Sequence, residues 1–415
     1  MKRSDTSAIE SALPLAPSYT TIWRNDDGER YVEGCGMTLA GDGSLLAAVP
    51  VVPRFRWSRE RRAAQSRTHM LRSTDGGETW QQLGELPYYS ACPWGYGGDL
   101  YLFAFTGGTE YRNDDLLLLR SGDGGATWSA PVTLFKGHFW NCHTGMVIRD
   151  DRLYWAIDDL GLGGVYESPT DIPRGGARAP RAIVCDLTGD PMDPGNWRMS
   201  DPVPFPGAPD AIVNAQFEER GTSHYLEPNV IDVYGRLRLL ATVKLRGQSA
   251  SNLCAVLDIT DEGEGGDGDG KLGLTFRQYS PMPGGQLKFC IVRDEASRLF
   301  WAVANMAADS QGLVDWNDAE GKRDEVYAHV PGGDDRRFLM LLYSADGLNW
   351  FQAGCIARAD KLTQSFMYAV PVIAGDDLAV IARSSINAPN RHDADCATFH
   401  RVRDFRRLAL KLYPD

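Results

Sequence analysis

Short apolar runs recur at even intervals along the chain, each opened by a turn residue. They lie at 43–49, 99–105, 152–157, 236–243, 298–303 and 377–383. None is long enough, or polar enough on one side, to read as an amphipathic helix. Their length, their apolar continuity and the Gly, Asp and Asn residues around them predict β-strands. In several, a turn residue is followed one or two places later by Leu, so each run reads as the second strand of a four-stranded unit. Six such units predict an all-β fold, a six-bladed β-propeller. The strand at 395–402 is expected to pair with N-terminal residues and so close the ring against exposed edges. The whole chain, 1–415, reads as one domain with 1–18 as an N-terminal extension.

Between these runs the chain repeats one phrase. Ser73, Asp75, Gly76, Gly77, Thr79 and Trp80 recur in the same spacing at Ser121, Asp123, Gly124, Gly125, Thr127 and Trp128. Ser344-Ala-Asp346-Gly-Leu-Asn-Trp350 is a copy one residue shorter, and Asp190 to Trp197 is a weaker echo. Ser and Asp side chains can bond nearby backbone amides, and Gly supplies positive φ. The phrase predicts a self-fastened hairpin turn on the outer rim, with Trp80, Trp128 and Trp350 buried beneath it. It resembles the Asp-box, or BNR repeat, of sialidases and related propellers.

Composition narrows the partners. A formal net charge of -12 over 415 residues offers no basic footprint for nucleic acid or for an anionic membrane. The N-terminal residues lack the apolar core of a secretory leader, and no stretch approaches the roughly 20 apolar residues of a membrane span. A cytoplasmic location is expected, or a secreted one if a leader has been removed. The eight cysteines are scattered singly, without metal-ligand spacing. Reduced buried thiols, no metal and no cofactor are therefore expected. The acidic, glycine-rich stretch 261–270 reads as a solvated loop, since it lacks the ordered ligand series of a calcium site.

Four segments carry unusual polar density at strand starts. His138, Trp140, Asn141 and His143 precede one strand and suit substrate hydrogen bonding or proton transfer. Glu227 lies in His224-Tyr-Leu-Glu-Pro-Asn229, with Lys244 at the end of the following strand. Tyr368 begins a late strand that leads to Arg383. Arg391-His392-Asp393 precede the terminal strand, and Lys288 follows the Gly284-Gly285 turn.

Taken together, the chain resembles the sialidase-like superfamily over most of its length. Pro283-Gly-Gly, Lys288-Phe289, Phe300-Trp301, Asn305, Tyr368, His392-Asp393 and Thr398-Phe-His-Arg401 resemble a subgroup of bacterial BNR-repeat, sialidase-like proteins. In sialidases a glutamate polarises a nucleophilic tyrosine, so the resemblance implies Glu227 and Tyr368 as that pair. Two departures stand out. Sialidases hold the sialic acid carboxylate with three arginines, the first in an Arg-Ile-Pro phrase; here the matching stretch carries Glu33. Their acid/base aspartate precedes the first Asp-box; between Arg54 and Arg72 this chain offers only Glu60.

These residues support three readings. The first is an exo-acting glycoside hydrolase of retaining course, acting on a non-sialic sugar or a uronic-acid glycoside. Glu227 and Tyr368 would be base and nucleophile, and His143 or Asp393 the proton donor. Glu33, His138, Trp140, Asn141, Lys244, Lys288, Arg383 and His392 would recognise the sugar. The second is a polysaccharide lyase using His143, Tyr368, Arg383 and Lys288 on a uronate chain. The third is a non-catalytic glycan-binding propeller. The expected partner is an oligosaccharide or glycoside in every case.

Overall fold

The computed structural model describes residues 14–54, 64–105, 114–160, 178–208, 224–245, 251–263, 270–310, 325 and 334–412. These residues form six antiparallel sheets of four or five strands. Sheet 1 comprises β2 (Arg30–Val32), β3 (Gly36–Leu39), β4 (Leu45–Pro53), β5 (Arg67–Ser73) and β6 (Gln81–Leu86). Sheet 2 comprises β7 (Ser90–Tyr96), β8 (Asp99–Phe105), β9 (Leu116–Ser121) and β10 (Val132–Phe135). Sheet 3 comprises β11 (Phe139–Trp140), β12 (Val147–Arg149), β13 (Arg152–Asp159), β14 (Ala179–Asp186) and β15 (Trp197–Met199).

Sheet 4 runs β16 (His224–Val233), β17 (Arg236–Lys244), β18 (Leu253–Asp261), β19 (Leu272–Pro281). Sheet 5 runs β20 (Cys290–Asp294), β21 (Leu299–Met306), β22 (Phe338–Ser344), β23 (Phe351–Arg358). Sheet 6 runs β24 (Ser365–Ala374), β25 (Asp377–Ser385), β26 (Cys396–Val402) and, at its edge, β1 (Tyr19–Arg24). The six apolar runs are the second strands, β4, β8, β13, β17, β21 and β25. They are buried on both faces because each sheet packs between two others, which explains their apolar continuity.

Tyr19 pairs with His400 and Arg24 with Cys396, so the N-terminal strand completes the last sheet as the sequence predicts. Just ahead of it, the Leu15 and Ala16 amides donate to the Cys355 and Ile356 carbonyls beside β23. Apolar seams join neighbouring sheets. Between sheets 2 and 3, for example, Phe103 stacks on Trp155 with ring centroids 4.5 Å apart. All eight cysteines are unpaired thiols, and all but Cys355 are buried. No helix among the described residues is long and apolar enough to cross a membrane.

The repeated phrases are turns between third and fourth strands. Ser73 Oγ takes the Gly77 amide at 2.7 Å and donates to Asp75 Oδ1 at 2.8 Å, and Asp75 in turn holds the Thr79 amide and hydroxyl. Ser121, Asp123 and Thr127 repeat the arrangement. The tryptophans differ from expectation: Trp80, Trp128 and Trp350 are half-buried, not buried. In the first turn the indole lies along the loop, where Trp80 Nε1 donates to the Gly77 carbonyl at 3.0 Å. The deep contact is made by glycine instead. A Cβ on Gly77 would stand 2.1 Å from Phe399 of sheet 6, so the turn seats itself on the preceding sheet.

A second correction concerns the acidic stretch. Asp261 is not part of a solvated loop: its carboxylate is buried and pairs with Arg152 at 3.0 Å and Arg198 at 2.8 Å. Residues 264–269 of that stretch, Glu60 and residues 1–13 of the N-terminal extension lie outside the described residues.

Candidate active site

Glu227 and Tyr368 both stand on bulges of innermost strands. β16 loses register with β17 between Leu226 and Asn229, and β24 loses register with β25 between Met367 and Val370. The residues at the breaks adopt left-handed backbone, with φ of 55° at Glu227 and 51° at Tyr368. A bulge re-aims a side chain out of the alternation of its strand. Left-handed backbone is disfavoured for residues with large side chains and accumulates at functional sites. The Glu227 bulge is held from sheet 3, where Asp158 Oδ2 accepts the Glu227 amide at 3.0 Å. Thr242 donates its hydroxyl to Glu227 Oε2 at 3.2 Å. The glutamate is otherwise buried, at 2% exposure.

The Tyr368 ring lies against Gly34, where a Cβ would come within 3.3 Å of Cδ1 and 3.1 Å of Cys142 Cβ. Glycine is what allows the Glu33–Cys35 backbone to approach this closely. The guanidinium groups of Arg383 and Arg336 stand 5.1 Å and 5.3 Å from the ring centroid. Burial pushes the phenol well above its usual range; Glu227 and Glu33 push it further, and Arg336 and Arg383 only partly oppose them. Tyr368 is therefore protonated at neutral pH, and Glu227 is the first carboxylate whose charge it feels.

Around this pair the polar groups form two chains. In the first, fully buried Arg383 donates from Nη1 to Glu33 Oε1 at 2.9 Å and from Nη2 to the His392 carbonyl. His392 Nδ1 meets Asp393 Oδ1 at 2.9 Å, and Arg54 pairs with Asp393 Oδ2 at 3.5 Å. In the second, Asp334 takes Arg336 Nη2 at 2.9 Å and pairs with Arg391 Nε at 3.5 Å. Burial would raise the Asp334 carboxyl, but Arg336, Lys244 and Arg391 outweigh it and hold the group well below the ordinary carboxylate range.

The structure thus brings Glu33, Glu227, Tyr368, Lys244, Arg383, His392 and Asp393 into one network, joined by hydrogen bonds, ion pairs or direct electrostatic influence. The other sequence-proposed residues lie differently. His143 sits beside Gly36, and burial together with Lys288 drives its imidazole down to about 3, so it is neutral at working pH. Lys288 is buried and donates to the Ala369 carbonyl behind Tyr368. Asn141 is fully buried and donates to the Ala156 carbonyl at 2.7 Å. His138 pairs with Asp114 at 3.3 Å. Trp140 pairs across the sheet with Asp158 and carries Arg178 over its ring at 5.6 Å.

Sequence reasoning missed Asp158, Arg178, Asp334 and Arg336, and singled out the Arg391 segment without giving Arg391 itself a role. Asp158 is fully buried, and its Oδ1 meets no partner among the described residues. Burial, reinforced by Glu227 and Asp159 and opposed by Arg178 and the Glu227 amide, pushes it up to about 7. The signal was present: two adjacent aspartates, Asp158 and Asp159, close an otherwise apolar strand. The run Asp334-Asp335-Arg336-Arg337 ahead of β22 was a comparable signal.

No protein-family model matches the sequence, and no curated protein matches it. Solved structures do. A protein of unknown function from Dyadobacter fermentans superposes with a TM-score of 0.57 at 12% identity, covering 93% of this chain and 98% of that one. Trypanosoma rangeli sialidase in complex with sialic acid gives 0.57 at 15% identity, over 96% of this chain and 61% of that one. A Penicillium chrysogenum α-L-arabinanase complexed with arabinobiose gives 0.51 at 12% identity, over 94% and 99%. At these identities the likeness speaks to the fold alone. The chain has the sialidase-like fold, a six-bladed β-propeller.

Proposed function

We propose that the chain is an exo-acting, retaining glycoside hydrolase whose substrate is a uronic-acid or other non-sialic glycoside. The observation that carries this reading is the placement of Glu227 and Tyr368 on matching bulges, with the Glu227 charge acting on the Tyr368 phenol. A phenol this strongly protonated attacks only if a base removes its proton as the new bond forms. Glu227 takes that proton while the Tyr368 oxygen bonds to the anomeric carbon. The bond to the leaving oxygen breaks, and that oxygen takes a proton from the His392–Asp393 pair. Neutral His143 has no imidazolium proton to give. Water then attacks the anomeric carbon and gives a proton to the His392–Asp393 pair. The bond to Tyr368 breaks and Glu227 returns its proton to the phenol oxygen, which restores both the configuration and the enzyme.

The cations around the site argue for the substrate. Arg383 is occupied by Glu33 and the His392 carbonyl, and Arg336 by Asp334. Neither fork is open to a sialic acid carboxylate, which calls for bidentate arginine recognition. Lys244 and Arg178 differ, since neither forms an ion pair or hydrogen bond with a carboxylate among the described residues. Lys244 lies in the field of Asp334, Arg336 and Glu227, and Arg178 acts on Asp158. A carboxylate in the position it has on a uronic acid suits that pair.

Assay on aryl glycosides tests this reading. Turnover of a glucuronide or galacturonide is expected, with a Lys244→Met change raising KM about tenfold on the uronide, the loss of roughly 1.4 kcal/mol. The same change should leave a neutral glycoside within about twofold. Turnover of an aryl sialoside at an ordinary enzymatic rate would overturn the substrate assignment. An ultraviolet-absorbing unsaturated uronate as product would replace hydrolysis with β-elimination on the same residues.

A further inference from the structure

The strands that present Glu227 and Tyr368 near their starts run to the opposite face of the ring. At the far end of β16, about 20 Å from Glu227 at the rise of a strand, stands Tyr234. It is 65% exposed and adopts left-handed backbone, with φ of 54°. Gly235 follows at φ 84°, and its amide donates to Asp232 Oδ1 at 2.7 Å, closing a two-residue hairpin turn. Asn-Gly is the favoured pair for such a turn, and a bulky first residue is strained there. The ring gains little from the core in return. Its position is nevertheless fixed, because the hydroxyl donates to the Ala345 carbonyl of sheet 5 at 2.8 Å.

Beside this ring lies a cleft of about 420 Å3 at the seam of sheets 3, 4 and 5. Ile148, Arg149, Asp232, Val292, Arg293 and Glu295 are among its lining residues. Ile148 is 46% exposed. The Arg293 guanidinium is set 4.8 Å over the Phe300 ring, and its carboxylate neighbour, Glu295, stands at 3.8 Å, beyond hydrogen-bond length. Arg149 and Asp232 pair with each other at 3.1 Å on one wall. The cleft therefore combines an exposed aromatic residue, small apolar patches and, in Arg293 and Glu295, charged groups of both signs that form no hydrogen bond with each other.

We propose that this cleft is a second carbohydrate site, which holds a polysaccharide segment on the face opposite the candidate active site. A pyranose ring packs its C–H face on a flat aromatic and presents hydroxyls or carboxylates around its edge. Tyr234 supplies that face, Arg293 the donor and Glu295 the acceptor, while the Arg149–Asp232 ion pair holds one wall. The balance of charged groups fits the edge of a sugar better than it fits the apolar face of a protein partner or of a second copy. The inference rests on the reading that the protein acts on glycans, but it does not depend on the chemistry at Tyr368.

Affinity electrophoresis through gels carrying arabinan, polygalacturonate or gum arabic separates the two. Tyr234→Asn is the decisive variant, because Asn suits the left-handed turn and removes the ring. At least one gel should retard the wild type, and Tyr234→Asn should lose about tenfold in affinity. Its turnover of a small aryl glycoside and its unfolding midpoint should be unchanged or improved. Tyr368→Phe should be retarded like the wild type. The proposal is overturned if no gel retards the wild type, if Tyr234→Asn is retarded equally, or if retardation is lost with Tyr368→Phe instead. It also fails if Tyr234→Asn changes only the sedimentation of the protein, which would make the cleft a contact between copies.

Discussion

Glu227 and Tyr368 occupy the same place in two different sheets. Each lies three residues into its innermost strand, at a break in register, with φ of 55° and 51°. Each is strained in a conformation that asparagine or glycine would adopt more easily. If that strain serves the site, relieving it should stabilise the fold and remove the activity. Glu227→Asn is expected to gain up to about 1 kcal/mol in chemical unfolding, since it also takes a buried carboxylate out of the core. Turnover should fall by about a thousandfold or more. A variant that lost stability along with activity would show that the glutamate is there for the fold.

Asp158 makes a pH prediction with a definite sign. Its folded-state value, pushed up to about 7 by burial, lies above the value of an unfolded aspartate, so the folded protein favours the protonated form. The stability this contributes is fully present below about pH 4 and is lost as pH rises towards 7, amounting to at most about 4 kcal/mol. Asp158→Asn keeps an oxygen to accept the Glu227 amide and removes the titration. Urea unfolding should find the variant no more stable than the wild type near pH 4.5 and clearly more stable near pH 8. Equal stability gains at both pH values would show that Asp158 does not titrate in this range.

The turn phrases carry a prediction about the seams between sheets. Gly77→Ala would place a methyl group 2.1 Å from Phe399 on left-handed backbone, with φ of 97°. A cost of about 2 to 4 kcal/mol is expected in thermal or urea unfolding. Gly97, with φ of 62° and nothing near its Cβ position, carries only the backbone strain. Gly97→Ala should cost about 1 to 2 kcal/mol. Similar costs at the two sites would mean that the turn does not brace sheet 1 against sheet 6.

Much of this architecture was legible because the repeats are local. A turn residue before each second strand, and a Ser–Asp–Gly phrase after some third strands, set the number of sheets without knowledge of any distant contact. Glu227, Tyr368 and Arg383 could be singled out because they interrupt apolar strands. Asp158 does so too, but it stands at the end of a second strand, and only the bulge of the next sheet gives it a partner. The pairing of Glu33 with Arg383, 350 residues apart, is likewise a product of ring closure. The half-burial of Trp80 was not legible, because the sequence cannot show that Gly77 makes the close contact with the neighbouring sheet.

The measurement that bears most directly on the proposed chemistry is the mass of the protein after reaction with a 2-fluoro uronosyl fluoride, read on intact chain and on peptides. A good leaving group forms the covalent intermediate, and the fluorine slows its hydrolysis. One glycosyl unit on the peptide bearing Tyr368 is expected, absent in Tyr368→Phe and formed far more slowly in Glu227→Gln. A label on another residue, or a Tyr368→Phe protein that turns over an aryl uronide like the wild type, would contradict the assignment of Tyr368 as nucleophile.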